Sequence, residues 1–218
     1  MNLATFTLMV ATGGIAQPAP APTDVRVVSK RTFSVPVETN PAKMQDVERL
    51  RLFVSRDQGA TYELQQTITP QEASGTGFTF TAKEDGTYWL QMQEQRRDGT
   101  LLPKDPSSVA PSEKLVIDTV KPVVTISTAE HLGGEVVVEW KIDDKHPADA
   151  TTKVFYKPLK GDDTQWKEAP AGSIRKRVAR FKPEVSGSVL VQVATADLAG
   201  NIGYANREVV KALADVPS

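Results

Sequence analysis

The sequence contains no cysteine. Disulfide bonds, thiolate metal sites, cysteine nucleophiles and a cysteine-linked lipid anchor are therefore all excluded. Histidine is almost as scarce, with only His131 and His146, both in segments that read as loops. There is no Gly-x-Ser-x-Gly elbow, phosphate-binding glycine loop or His/carboxylate metal motif, and the plentiful Ser and Thr residues lack a base beside them. A carboxylate pair doing glycosidase chemistry normally lines a deep cleft, which a small β-sandwich rarely offers. These absences point away from an enzyme. Neither sign of charge dominates: 26 Lys and Arg stand against 27 Asp and Glu, for a net charge of −1. Electrostatics thus gives no reason to expect nucleic acid or an anionic membrane as a partner. No apolar run is long enough to span a bilayer as a stable anchor.

What the sequence does have is punctuation. Fifteen prolines and fourteen glycines are spread along the 218 residues and cut the chain into short segments, a pattern that suits strands better than helices. At the start, Met1–Ala16 carries no charged side chain and ends in Gly14-Ile15-Ala16, with small residues where a signal peptidase reads. It reads as a signal peptide, although it lacks a leading Lys or Arg; the alternatives are a disordered tail or a misplaced start. Residues 17–23 follow as a Pro/Ala-rich spacer of extended character.

The two halves of the chain share one plan. Phe80 aligns with Phe181, Gly86 with Gly187, Leu90 with Val191, Met92 with Val193 and Gly99 with Gly200, all at one constant offset. The repeat length is about a hundred residues, the size of a small β-sandwich domain. Within each copy, apolar residues alternate at period two, as at Val189, Val191 and Val193, which marks half-buried strands. The alternation predicts strands over 24–29, 31–38, 46–55, 60–68, 76–82, 86–95 and 111–118, with loops between them and no helix. In the second copy it predicts 122–127, 134–142, 152–158, 164–169, 174–182, 187–196 and 203–211.

Three stretches carry a family resemblance. Glu84-Asp85-Gly86-Thr87-Tyr88-Trp89-Leu90 resembles the tyrosine corner of the immunoglobulin fold, with Leu90 where many members carry cysteine. In the second copy Val189 stands in the tyrosine's place. Ile117-Asp118-Thr119-Val120-Lys121-Pro122 and Ala196-Asp197-Leu198-Ala199-Gly200-Asn201 resemble the linker and last-hairpin motifs of bacterial immunoglobulin-like and fibronectin-type-III-like repeats on exported proteins. The resemblance implies an all-β chain of two tandem seven-stranded immunoglobulin-like β-sandwiches, over 24–118 and 119–218. It further implies a non-catalytic structural or binding module, exported to the periplasm, cell surface or medium. The expected partner is a protein or glycan of the cell envelope, with a carbohydrate-binding module or accessory domain of a secreted hydrolase as the alternative. The fold itself hosts many functions.

Several residues stand out against that background. Ser55, Asp57, Gly59, Thr61 and Tyr62 match the Asp-box turn pattern, with tyrosine for the usual tryptophan. Such a turn is locally built: Asp and Ser satisfy backbone groups, Gly takes a positive φ, and the aromatic packs beneath. One copy cannot make a propeller, so these residues, like Tyr88, read as structural. Trp89 points away from the core that takes Tyr88 and Leu90, and is the candidate protein or sugar contact. Asp118, Asp143, Asp144 and Asp197 gather at one pole of the second copy, and Asp57, Glu84 and Asp85 at the facing pole of the first. Calcium, a hard ion that accepts many oxygens, is the candidate ion for the first four. Alternatively Lys121, Lys141 or Lys145 balances their charge, or the carboxylates simply hold turns. No other cofactor is expected. Finally, Arg175, Lys176, Arg177 and Arg180 make 174–182 a basic strand, suited to an anionic polymer or to guarding a sheet edge.

Overall fold

The computed structural model describes residues 25–37, 44–160, 165–170 and 172–211. The signal-type segment 1–16 and the spacer 17–23 lie outside the described residues. The chain divides into two compact units, with the boundary between Thr119 and Val120.

In chain order the first unit comprises β1 (Arg26–Val28), β2 (Thr32–Val35), β3 (Val47–Ser55), β4 (Glu63–Ile68), helix α1 (Pro70–Gly75), β5 (Phe78–Thr81), β6 (Gly86–Arg96), β7 (Leu101–Leu102) and β8 (Glu113–Ile117). One sheet has the order β1-β8-β6-β3-β4, with β7 on β6, and the other pairs β2 with β5. β1 runs parallel to β8, with Val28 opposite Ile117; the other pairs are antiparallel. Alternate residues of each strand meet in the space between the sheets. Leu50, Leu52 and Val54 come from β3, Tyr88, Leu90 and Met92 from β6, and Leu115 and Ile117 from β8. Val35, Phe78 and Phe80 close the core from the smaller sheet. Phe80 sits edge-on to both Phe33 and Tyr88, with ring centroids 5.4 Å apart in each pair, a favoured aromatic geometry.

Helix α1 falls where sequence periodicity predicts only a loop. Thr69 and Glu72 form a reciprocal capping box: the Glu72 N–H donates to Thr69 Oγ1 at 3.2 Å, and the Thr69 N–H donates to Glu72 Oε2 at 2.7 Å. Pro70 opens the helix, where its missing N–H costs nothing.

The second unit comprises β9 (Val123–Leu132), β10 (Glu135–Asp143), β11 (Lys153–Pro158), β12 (Lys167–Glu168), β13 (Ile174–Arg175), β14 (Val178–Phe181), β15 (Val189–Ala196) and β16 (Ile202–Val209). Its sheets have the orders β13-β14-β10-β9 and β12-β11-β15-β16. Val136, Val138 and Trp140 of β10 face Val154 and Tyr156 of β11 and Val189, Val191 and Val193 of β15 across the core. Along β15 every second residue is buried, as the alternation of its valines requires. A β-bulge interrupts the β9–β10 ladder at Glu139/Trp140.

One predicted strand is a hairpin instead. Residues 174–182 fold as β13, a two-residue turn of Lys176 and Arg177, and β14, with Arg175 opposite Val178. Lys176 and Arg177 have φ of 50° and 64°. Two successive positive φ values give the turn the twist a tight hairpin needs, but side chains other than Asn, Asp or Gly adopt them at a cost of roughly 1 kcal/mol each.

Candidate functional site

The most elaborated surface of the first unit is the turn between β3 and β4 and the face of β6 beside it. Ser55 Oγ donates to Asp57 Oδ1 at 2.7 Å and accepts the Gly59 N–H at 2.7 Å. Thr61 donates its N–H to Asp57 Oδ1 at 2.8 Å and its hydroxyl to Asp57 Oδ2 at 2.6 Å. The Thr61 hydroxyl, then its N–H, then Ser55 hold the Asp57 carboxyl down to about 2. Gly59, at φ +90°, lies against Trp89: a Cβ there would come within 2.8 Å of Trp89 Cε3. Tyr62 is half-buried, and burial followed by the Asp57 charge raises its hydroxyl pKa.

Trp89 stands on the face of β6 opposite the buried Tyr88 and Leu90, and is half-buried. Its cross-strand neighbours are Ser55 on β3 and Lys114 on β8. The Lys114 ammonium lies 4.6 Å from the ring centroid, a cation–π contact. The indole is thus flanked by the turn on one side and a lysine on the other, leaving part of it open.

Tyr88 faces inward, and its hydroxyl donates to the Glu84 carbonyl at 2.7 Å, tying the chain's entry into β6. A groove of about 310 Å³ opens nearby, between the free edges of β4 and β5. Glu63 and Gln65 line one wall, Thr81 and Lys83 the other, with Val54 and Tyr88 among the apolar residues lining it.

Glu84 and Asp85, like Asp57, are committed to partners. Glu84 is ion-paired with Arg56. Asp85 accepts the Thr119 N–H at 2.8 Å and the Thr119 hydroxyl, and pairs with Arg31 at 2.9 Å. The Thr119 N–H is the main cause of its lowered pKa, with the Thr119 hydroxyl and Arg31 adding to it against burial. Arginines and turn donors thus hold Asp57, Glu84 and Asp85. Asp118, directly after β8, is 4% exposed and donates its N–H to the Val28 carbonyl at 3.0 Å.

In the second unit the structure separates the remaining candidates. Asp143, the last residue of β10, is exposed. Asp144 accepts the His146 N–H at 2.7 Å. Asp197 is buried and accepts the Asn201 N–H at 2.8 Å and the Asn201 side-chain amide at 2.7 Å. Carboxylate oxygens of Asp144 and Asp197 approach within 4.8 Å of one another. This is the pair that could share a hard cation such as calcium, although its present hydrogen bonds are those of Asx-type turns.

Of the basic residues, Arg177 makes a bidentate pair with Asp149, with contacts of 2.8 to 3.1 Å, and Arg180 pairs with Glu135 at 3.1 Å. Sequence periodicity does not bring Trp140 or Asp149 to this hairpin: the sheet order β13-β14-β10 places the first and the Arg177 pair holds the second.

No family model matches the sequence, and no curated protein matches it. Among solved structures, the chain is similar to the fibronectin(III)-like modules of Clostridium thermocellum CbhA, at 13% identity and a TM-score of 0.44, over 88% of this chain and 90% of that one. It is similar to the FN1–FN3 domains of chicken CNTN1 at 12% identity and a TM-score of 0.42, over 90% of this chain and 69% of that one. A tetra-tandem repeat in the extending region of a large adhesion protein matches at 14% identity and a TM-score of 0.30, over 75% of this chain and 42% of that one. These are fibronectin(III)-type and tandem-repeat chains; the fold assignment for this protein rests on its own strand order and core.

Proposed function

We propose that the protein is a non-catalytic structural or binding module of the adhesion type, working outside the cytoplasm on a protein or glycan of the cell envelope. The observation that carries this reading is the use made of the acidic side chains. In the first unit Asp57, Asp98 and Asp105 accept hydrogen bonds from Thr or Ser in their own turns, Asp85 accepts them from the distant Thr119, and the pKa values of all four are lowered by those bonds. Carboxylates so employed build rigid loops, which suit a module that presents them. Two tandem units of one plan, each with its own core, suit a spacer that presents loops. Export rests on the uncharged, apolar Met1–Ala16 segment. No helix among the described residues is long and apolar enough to cross a membrane.

A glycan-binding reading has one specific observation in its favour, the partly open Trp89 ring beside Lys114 and the adjacent Asp-box turn. The test is to immobilise the full chain and challenge it with a glycan array and with purified envelope proteins, alongside Trp89→Ala. Saturable binding of a protein that survives Trp89→Ala supports the leading reading, and saturable binding of a glycan lost in that variant supports the second. Turnover of a polysaccharide or peptide by pure protein overturns both.

A further inference from the structure

We propose that the outer face of the sheet β12-β11-β15-β16 in the second unit is a self-association surface, and that its partner is the same face of a second copy of the chain. The proposal is independent of the adhesion reading.

The register decides which side chains make that face. Val154 and Tyr156 of β11, Val191 and Val193 of β15 and Val209 of β16 are buried in the core. The residues between them therefore point outward, where the pairing sets them in cross-strand rows. Lys157, Leu190 and Glu208 form one row, and Lys153, Ala194 and Tyr204 form another. Apolar groups are prominent here: Ile202 is 59% and Tyr204 63% exposed on β16. Trp166, whose ring the Lys157 ammonium approaches to 5.0 Å, borders the same face. Exposed apolar side chains gathered on one face mark a contact surface.

Charge selects the occupant. Lys153 pairs with Glu168 at 3.0 Å, whereas neither Lys157 nor Glu208 has an ion pair with another described residue. Two cations and two anions leave the face neutral, so it draws neither a polyanion nor a polycation. Within one copy Lys157 and Glu208 stand on opposite sides of Leu190, each one strand away from it, and so about 10 Å apart. A two-fold axis laid along β15 brings them together. It turns the face over onto a second copy, so that β15 stacks on its counterpart and β11 on the other copy's β16. Rows keep their height, and Lys157 meets Glu208 of the second copy, twice by symmetry. In the other row Lys153 falls opposite Tyr204, a cation against an aromatic ring. On the axis Leu190 and Ala194 meet their own counterparts. Facing sheets stack about 10 Å apart, a gap that a lysine and a glutamate together span. The face measures on the order of 500 Å² per copy, from strand spacing and rise. That area supports a weak, concentration-dependent dimer and not a permanent one.

The test is sedimentation velocity of the full chain from micromolar to millimolar concentration. The wild type should shift from monomer to dimer across that range. Lys157→Glu and Glu208→Lys each place like charges at both symmetric contacts, and each should weaken the dimer about tenfold or more. Both side chains point outward, and circular dichroism melts confirm that each variant remains folded. Mixed in equal amounts, the two variants should associate as strongly as the wild type, because every contact then joins opposite charges again. A wild-type chain that stays monomeric throughout overturns the proposal. So does a dimer that either variant leaves unchanged, or one that mixing the variants fails to restore.

Discussion

The hydroxyl of Tyr156, on β11, accepts the N–H of Glu184 at 3.2 Å, and thereby ties down the turn that leads into β15. In the first unit the corresponding turn is tied from within its own strand, by Tyr88 to Glu84. Val189 occupies the place of that tyrosine in the second unit and only packs. The corner is retained while the residue that makes it moves to the neighbouring strand.

Tyr156→Phe should therefore destabilise the second unit by about 1 kcal/mol, the usual net worth of one buried hydrogen bond. Tyr88→Phe should cost the first unit a similar amount. Urea unfolding of each variant checks both, and unchanged midpoints would show the corners to be incidental.

Asp57 gives a pH-dependent expectation. Its carboxyl is held at about 2, below the ordinary 3.8, so its contribution to folding is complete above about 4 and is lost as pH falls toward 2. Asp57→Ala should melt below the wild type at neutral pH, with the difference closing as the pH approaches 2. Melting curves across that window decide it.

Glu113 behaves in the opposite sense. Burial raises its carboxyl to about 7 from 4.5, against a smaller opposing pull from Arg26. Since the folded state holds this proton more tightly, stability is lost as pH rises from about 4.5 through 7. Glu113→Gln should be more stable than the wild type at pH 8 and no more stable at pH 4. Equal melting temperatures at both pH values would contradict the burial of this group.

Gly59→Ala should destabilise the first unit by roughly 1–3 kcal/mol, because the backbone is in the left-handed region and the new methyl meets the Trp89 ring. In a Trp89→Ala background the packing part of that cost should vanish and the backbone part remain. A double-mutant cycle in urea measures the two separately.

The strands were largely legible because their signal is local. The valines at 189, 191 and 193 declare their face without reference to anything else in the chain. The β13–β14 turn was not, since Lys176 and Arg177 are not residues that mark turns. Helix α1 left a readable sign in Thr69-Pro70-Gln71-Glu72, but it is too short to show helical periodicity. The Asp-box turn could be read residue by residue, whereas Gly59 closing on Trp89 depends on the β3–β6 register. The pairing of Asp85 with Arg31 and Thr119 is likewise tertiary, and charge counting along the sequence could not reveal it.

The parallel pairing of β1 with β8 bears on the order in which the first unit can assemble. Val28 finds its partner in Ile117, at the far end of the unit, so the first of the described strands to be made is the last that can be joined. Until β8 is present, β1 has no sheet partner among the described strands, and the Gly86–Leu90 stretch of β6 lacks its neighbour on that side. A chain emerging from a ribosome therefore holds an unzipped sandwich until nearly all of the unit is out. Any factor that must thread or escort the protein unfolded has that interval in which to act.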